Sequence, residues 1–134
     1  MLQKLNKKRG GFTLVEIMIV VAIIALLASI AVPNFLRARK RSQATRILED
    51  LRMIDSAIDQ YAIETNKASG DSVGWPAIQG YLKNGSALYN SQKLDLLGRT
   101  YIGFSVDGAP KISKTTYDAL SDVAPADFWS PFYP

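Results

Sequence analysis

The chain has no cysteine and no histidine. Without cysteine, no disulfide staples the fold and no thiolate metal site exists. Without histidine, a zinc site and a His-based catalytic triad are excluded. No glycine-rich phosphate loop is present, so nothing marks a nucleotide site. Acid pairs suited to proton transfer occur only on an expected helix surface, where solvation accounts for them, and the chain reads as a non-enzyme. An excess of positive charge is also missing from most of the sequence. The net charge is +4, but Lys4, Lys7, Lys8 and Arg9 supply all of it before Gly10. From Phe12 onward, 12 basic residues meet 12 acidic ones. A neutral chain of this kind is not expected to bind nucleic acid. Internal repeats and low-complexity segments are absent as well.

What the chain does have is an apolar run over residues 12–32, FTLVEIMIVVAIIALLASIAV, broken by one acid, Glu16. These 21 residues are enough for a helix to cross a bilayer core of ~30 Å. A carboxylate at the centre of such a span costs roughly 2.5–3.5 kcal/mol, and less near its edge. An acid kept there calls for a cationic partner. Pro33 and Asn34 follow, then the basic cluster Arg37, Arg39, Lys40 and Arg41, which suits side chains reaching lipid headgroups.

From Ala44 the pattern becomes amphipathic. Ala44, Ile47, Leu51, Ile54, Ile58, Tyr61 and Thr65 recur at alternating spacings of three and four, with Leu48, Ala57 and Ala62 widening the stripe. Arg46, Glu49, Asp50, Arg52, Asp59 and Glu64 fall mostly off it. The reading is one long helix over residues 12–65, apolar all round in its first half and on one face in its second. Pro33 leaves two alternatives, a kink within that helix or the end of its membrane part.

The remainder, residues 66–134, reads as a small globular head. One or two helical turns are expected over residues 75–82 and a short helix over 115–123. A strand over 99–106 (RTYIGFSV), the Asp107-Gly108 turn and a second strand near 111–113 suggest a hairpin. The fold class is therefore α+β, a long N-terminal helix packed on a small antiparallel β-sheet. The aromatic stretch from Phe128 to Tyr133 is expected to close the core of this head.

The first forty residues admit two plain readings. One is a secretory signal with cleavage after Ala31; Glu16 and the basic cluster beyond it fit that poorly. The other is a simple membrane anchor, which gives Glu16 no task. A third reading comes from resemblance. KKRGGFTLVE, residues 7–16, closely resembles the prepilin processing motif of type IV pilins and of type II secretion pseudopilins. The likeness runs to about Phe35, includes Pro33, and continues more loosely along the amphipathic helix.

That resemblance implies a leader over residues 1–11, a transmembrane and filament-core helix over 12–33, an amphipathic helix over 34–65 and a head over 66–134. It implies cleavage between Gly11 and Phe12 by a prepilin peptidase, N-methylation of Phe12, and an assembly role for Glu16, Phe12 and Pro33. The implied setting is the bacterial inner membrane, crossed once, with the head in the periplasm. The implied partners are further pilin-like copies in a helical filament, membrane lipid, and an inner-membrane assembly platform with its ATPase. Cleavage would create an ammonium on Phe12, four residues from Glu16. Within the chain or between neighbours, that pair would relieve the buried acid.

Head features lean toward the pseudopilin branch. Many type IV pilins close a C-terminal loop with a cysteine pair, and none exists here. Tyr81-Leu82 and then Asp95, Gly98 and Tyr101 match the major pseudopilin pattern, while Leu96, Leu97 and Thr100 depart from it. A pseudopilus subunit is the first reading, and a type IV pilus subunit for adhesion, motility or DNA uptake is the alternative. The family's calcium loop is not assigned. Asp107, Asp118, Asp122 and Asp127 are available, but their spacing fits no such loop, and solvated carboxylates explain them. No cofactor or metal ligand is assigned.

Overall fold

The computed structural model describes residues 10–134, so Lys4, Lys7, Lys8, Arg9 and the rest of the leader before Gly10 lie outside the described residues. Among the described residues the helices run in the order α1 (Leu14–Thr65), α2 (Trp75–Gln79), α3 (Ala87–Asn90), α4 (Lys114–Leu120) and α5 (Ala126–Trp129). The chain divides into two units, Met1–Leu36 and Arg37–Pro134.

In the first unit, α1 contains an 18-residue stretch long and apolar enough to cross a membrane, none of it buried. Leu14, Met18, Leu26, Leu27 and Ile30 are each more than 60% exposed. The helix continues through Pro33. Proline has no N–H, so the Ser29 carbonyl lacks its usual donor four residues on. One turn earlier, the Ser29 hydroxyl donates to the Leu26 carbonyl at 2.6 Å.

In the second unit, α1 supplies one wall of a core. Ala44, Ile47, Leu51, Ile54 and Ile58 are buried, and Leu48 and Ala57 widen the stripe as the spacing predicts. Tyr61 and Ala62 are half-buried, and Thr65 is exposed, so the packed face fades over the last turn. Against it pack Val73, Ile78, Leu82, Leu88, Tyr101, Val106, Ile112, Leu120, Trp129 and Phe132. Burying an aliphatic side chain of this size contributes roughly 1.5–3 kcal/mol, so the four isoleucine and leucine positions of α1 at 47, 51, 54 and 58 dominate that wall.

The expected antiparallel sheet is not present as a sheet. Among the described residues it is reduced to four isolated antiparallel bridges: Ser72–Ser105, Leu94–Thr100, Ile102–Lys111 and Ser105–Gly108. The backbone explains why. Gly103 (φ +76°) and Asp107 (φ +59°) leave the extended region inside and just after the expected strand. Pro110 sits beside Lys111 and has no N–H for a ladder. Of these bridged pairs, Ile102 and Lys111 exchange both backbone bonds, at 2.9 and 2.7 Å.

The short helices have local causes. Ser86 and Ser113 cap α3 and α4 by accepting from the Tyr89 and Thr116 amides. Pro76 lies in the first turn of α2, where its missing N–H is harmless. The aromatic tail closes the core as expected. Trp129 is fully buried, with its indole N–H donating to the Ala124 carbonyl at 3.0 Å. Tyr133 meets Tyr117 edge to face, with ring centroids 5.0 Å apart.

Candidate functional site

The residues singled out for processing and assembly are Gly11, Phe12 and Glu16, with Pro33 farther along. Gly10 to Thr13 precede α1 and are exposed, and Phe12 is 84% exposed. An uncovered Gly-Gly-Phe segment ahead of a helix leaves its peptide bonds open to another protein. Neither glycine has a neighbouring atom within 4 Å of the position a Cβ would take.

Four residues later the structure adds a device that the sequence reading missed. The Thr13 amide donates to Glu16 Oε2 at 3.3 Å, and the Glu16 amide donates to Thr13 Oγ1 at 3.2 Å. The two side chains cap the start of α1 reciprocally, as a capping box. Its negative end also sits at the positive end of the helix dipole. The signal was legible: Thr, two residues, Glu, then an apolar run. Glu16 is therefore folded back on the backbone next to Phe12, with its carboxylate directed toward the chain segment where a new amine would arise. Pro33 lies apart from these residues, inside the helix.

The head's polar centre lies elsewhere. Asp50, placed off the apolar stripe by the sequence pattern, is in fact 5% exposed. Its Oδ2 accepts from the Tyr101 hydroxyl at 3.1 Å. Arg46 Nε stands 3.6 Å from Oδ1, an ion-pair distance too long for a hydrogen bond. Burial raises the Asp50 carboxyl above its ordinary value, with Tyr101 and Arg46 opposing the rise. Burial, and next the Asp50 charge, raise the Tyr101 hydroxyl strongly.

Asp95 organises the turn that follows α3. Its Oδ1 accepts from the Leu97 and Arg99 amides at 2.8 and 2.9 Å, and its Oδ2 from the Thr116 hydroxyl at 2.5 Å. Gly98 closes the turn at φ +76°, a conformation that favours glycine. Asp95 and Gly98, two of the positions matched to the pseudopilin pattern, thus hold one structural turn, and Tyr101 fills the core beyond it. The departures at Leu96, Leu97 and Thr100 fall on exposed or half-buried positions.

Asp107, Asp118, Asp122 and Asp127 are exposed and do not converge. Asp122 pairs with Lys40 at 2.9 Å, and that hydrogen bond lowers its carboxyl below the ordinary value. Among the described residues no group of three or more acids is arranged to hold a metal ion.

Residues 6–32 match the family model described as the prokaryotic N-terminal methylation motif, which covers Gly11, Phe12, Thr13 and Glu16. Its relatives are of two kinds. The chain is 42% identical to the type IV major fimbrial protein FimA of Dichelobacter nodosus over 65 residues, 48% of this chain and 41% of that protein. It is 29% identical to the type II secretion system core protein G of Aeromonas hydrophila over 73 residues, 54% of this chain and 51% of that protein. It is 32% identical to core protein G of Pectobacterium carotovorum subsp. carotovorum over 71 residues, 53% of this chain and 46% of that protein. The chain thus spans about half the length of the curated relatives it matches. No solved structure matches.

Proposed function

We propose that the chain is a structural subunit of a type II secretion pseudopilus, cut between Gly11 and Phe12 by a prepilin peptidase and methylated on the new Phe12 amine. The observation that carries the reading is the methylation motif over residues 6–32, with Glu16 at its fixed place inside an apolar helix. Hydrolysis of the Gly11–Phe12 amide leaves an ammonium one residue before the capping box. The carboxylate that caps α1 is then the nearest acid in sequence, and a filament neighbour can present its own amine to it. Two opposite charges in an apolar bundle favour the register in which they meet, since breaking such a pair costs about 3–5 kcal/mol.

On this reading the exposed apolar unit is held in lipid, as a single pass of the bacterial inner membrane with the head in the periplasm. It then packs against other copies, because lipid and a helical bundle are similarly apolar. An inner-membrane platform and its ATPase supply the work of extraction. The chain itself works without catalysis, and no cofactor is assigned to the head. The turn built by Asp95 and Gly98 and the lack of cysteine support the pseudopilus over the pilus. The second reading is a type IV pilus subunit for adhesion, motility or DNA uptake; the 42% identity to a fimbrial protein favours it.

Intact mass and N-terminal sequencing of the protein from its native membrane test the proposal. A start at Phe12 carrying one added methyl group is expected. A start at Val32 would mark a secretory signal, and a start at Met1 a plain anchor. Loss of protein export on deleting the gene, with surface fibres unaffected, is the result that separates pseudopilus from pilus.

A further inference from the structure

Ile63 is 81% exposed, far more than any other large apolar side chain of the second unit; Leu96 is next at 53%. It stands in the last turn of α1, off the face on which Tyr61 and Ala62 pack. Asp59 precedes it by one turn and Glu64 adjoins it. Between Met53 and Thr65, α1 carries Asp55, Asp59 and Glu64 and no base. An isolated isoleucine on an acidic surface stabilises nothing within its own chain.

The same unit contains a cavity of about 480 Å³ between the α1 surface and the segment joining α2 to α3. Met53, Leu82 and Leu88 line it with apolar surface, while Arg46, Arg52 and Lys83 give it three bases against one acid, Glu49. Arg46 leans toward Asp50. Neither Arg52 nor Lys83 has an ion-pair partner among the described residues. The cavity is apolar with a basic rim, and the Ile63 knob is apolar with acidic neighbours. They complement each other in shape class and in charge.

They cannot meet within one chain, because both lie on the same helix. Their centres are about 12 residues apart along α1, roughly 18 Å. We propose that the cavity receives Ile63 of a second copy, with that copy's Asp59 meeting the Arg52 and Lys83 rim. Each copy then uses its cavity for one neighbour and its knob for another. A contact between two different patches is heterologous, and when copies lie parallel it propagates as an open array with an axial step. The proposal rests on the filament reading and adds to it a lateral contact between heads.

Cysteine chemistry tests it cleanly, because the chain has no native cysteine. In the full chain, Met53→Cys and Ile63→Cys are ~15 Å apart along one helix, too far for an intrachain disulfide. Mild oxidation of assembled fibres of the double variant is expected to give a ladder of covalent multimers. Fibres mixing the two single variants should give dimers only. Ile63→Cys with Ile102→Cys, an exposed control position, should give no adduct. Separately, Asp59→Lys is expected to lower fibre yield roughly fivefold, with Lys83→Asp in the same chain restoring it.

Fibres that form normally yet show no adduct between positions 53 and 63 would overturn the contact while leaving the filament reading standing. A cross-link from Met53→Cys to a different protein, with none to Ile63→Cys of another copy, would give the cavity another occupant and also overturn it. Processed wild-type chain that never forms fibres would contradict the filament reading, and this contact with it.

Discussion

The two units of the chain use the same kinds of residue to opposite ends. In the first, Leu14, Met18 and Leu26 are 79, 62 and 65% exposed. In the second, Ile47, Leu51 and Ile54 of the same helix are fully buried. The second stretch is covered by its own chain, and the first is left uncovered among the described residues. Exposed apolar surface on that scale marks an interaction site. The first unit carries a candidate membrane anchor; the second is built to fold.

The contrast is broken most strongly by truncating one residue of each kind. Ile54→Ala removes core contacts and is expected to cost about 2–5 kcal/mol. Ile24→Ala, in the exposed run, should leave head unfolding unchanged. Urea unfolding of the full chain in detergent, followed by near-ultraviolet circular dichroism, checks both. Equal losses would erase the distinction between the units.

The next effect concerns the buried pair. Tyr101→Phe leaves Asp50 Oδ2 without its donor and is expected to cost about 1–3 kcal/mol in the same assay. Asp50→Asn keeps an acceptor for Tyr101 and removes the charge. Because burial raises the Asp50 pKa, its contribution is full below its ordinary value of 3.8 and is lost as pH rises through the raised value. The Asn variant should therefore lose less stability than the parent as pH rises from the ordinary value of 3.8 through the raised one. An unchanged pH profile would show that Asp50 does not titrate in the fold.

The smallest effect is at the surface. Lys40 lowers the Asp122 carboxyl, so their pair contributes above the ordinary value of 3.8 and fades as pH falls through the lowered one. Lys40→Ala should cost a little stability at neutral pH and none once pH has fallen through the lowered value. A large loss at neutral pH would mean that this exposed pair does more than solvent screening allows.

How far the sequence could be read follows from where the forces act. Ile47, Leu51, Ile54 and Ile58 were legible because helical spacing alone places them on one face. The apolar run and Glu16 were legible for the same local reason. Asp50 was not, since its burial depends on Tyr101, 51 residues away, and no local pattern announces that. The head's strands were overread. The residues around Tyr101 favour extended chain, but Gly103, Asp107 and Pro110 cut the pairing down to single bridges. The capping box of Thr13 and Glu16 was present in the letters, overshadowed by the membrane reading of the same acid.

The central claim is that Glu16 is kept in an apolar helix because processing creates a cation for it to meet. Fibre yield of Glu16→Gln, measured beside wild type at equal membrane levels of processed protein, tests this most directly. The account predicts a loss of at least about a hundredfold, the scale of about 3 kcal/mol for one charge pair broken in an apolar setting. Fibres at the wild-type level from the Gln variant would contradict it.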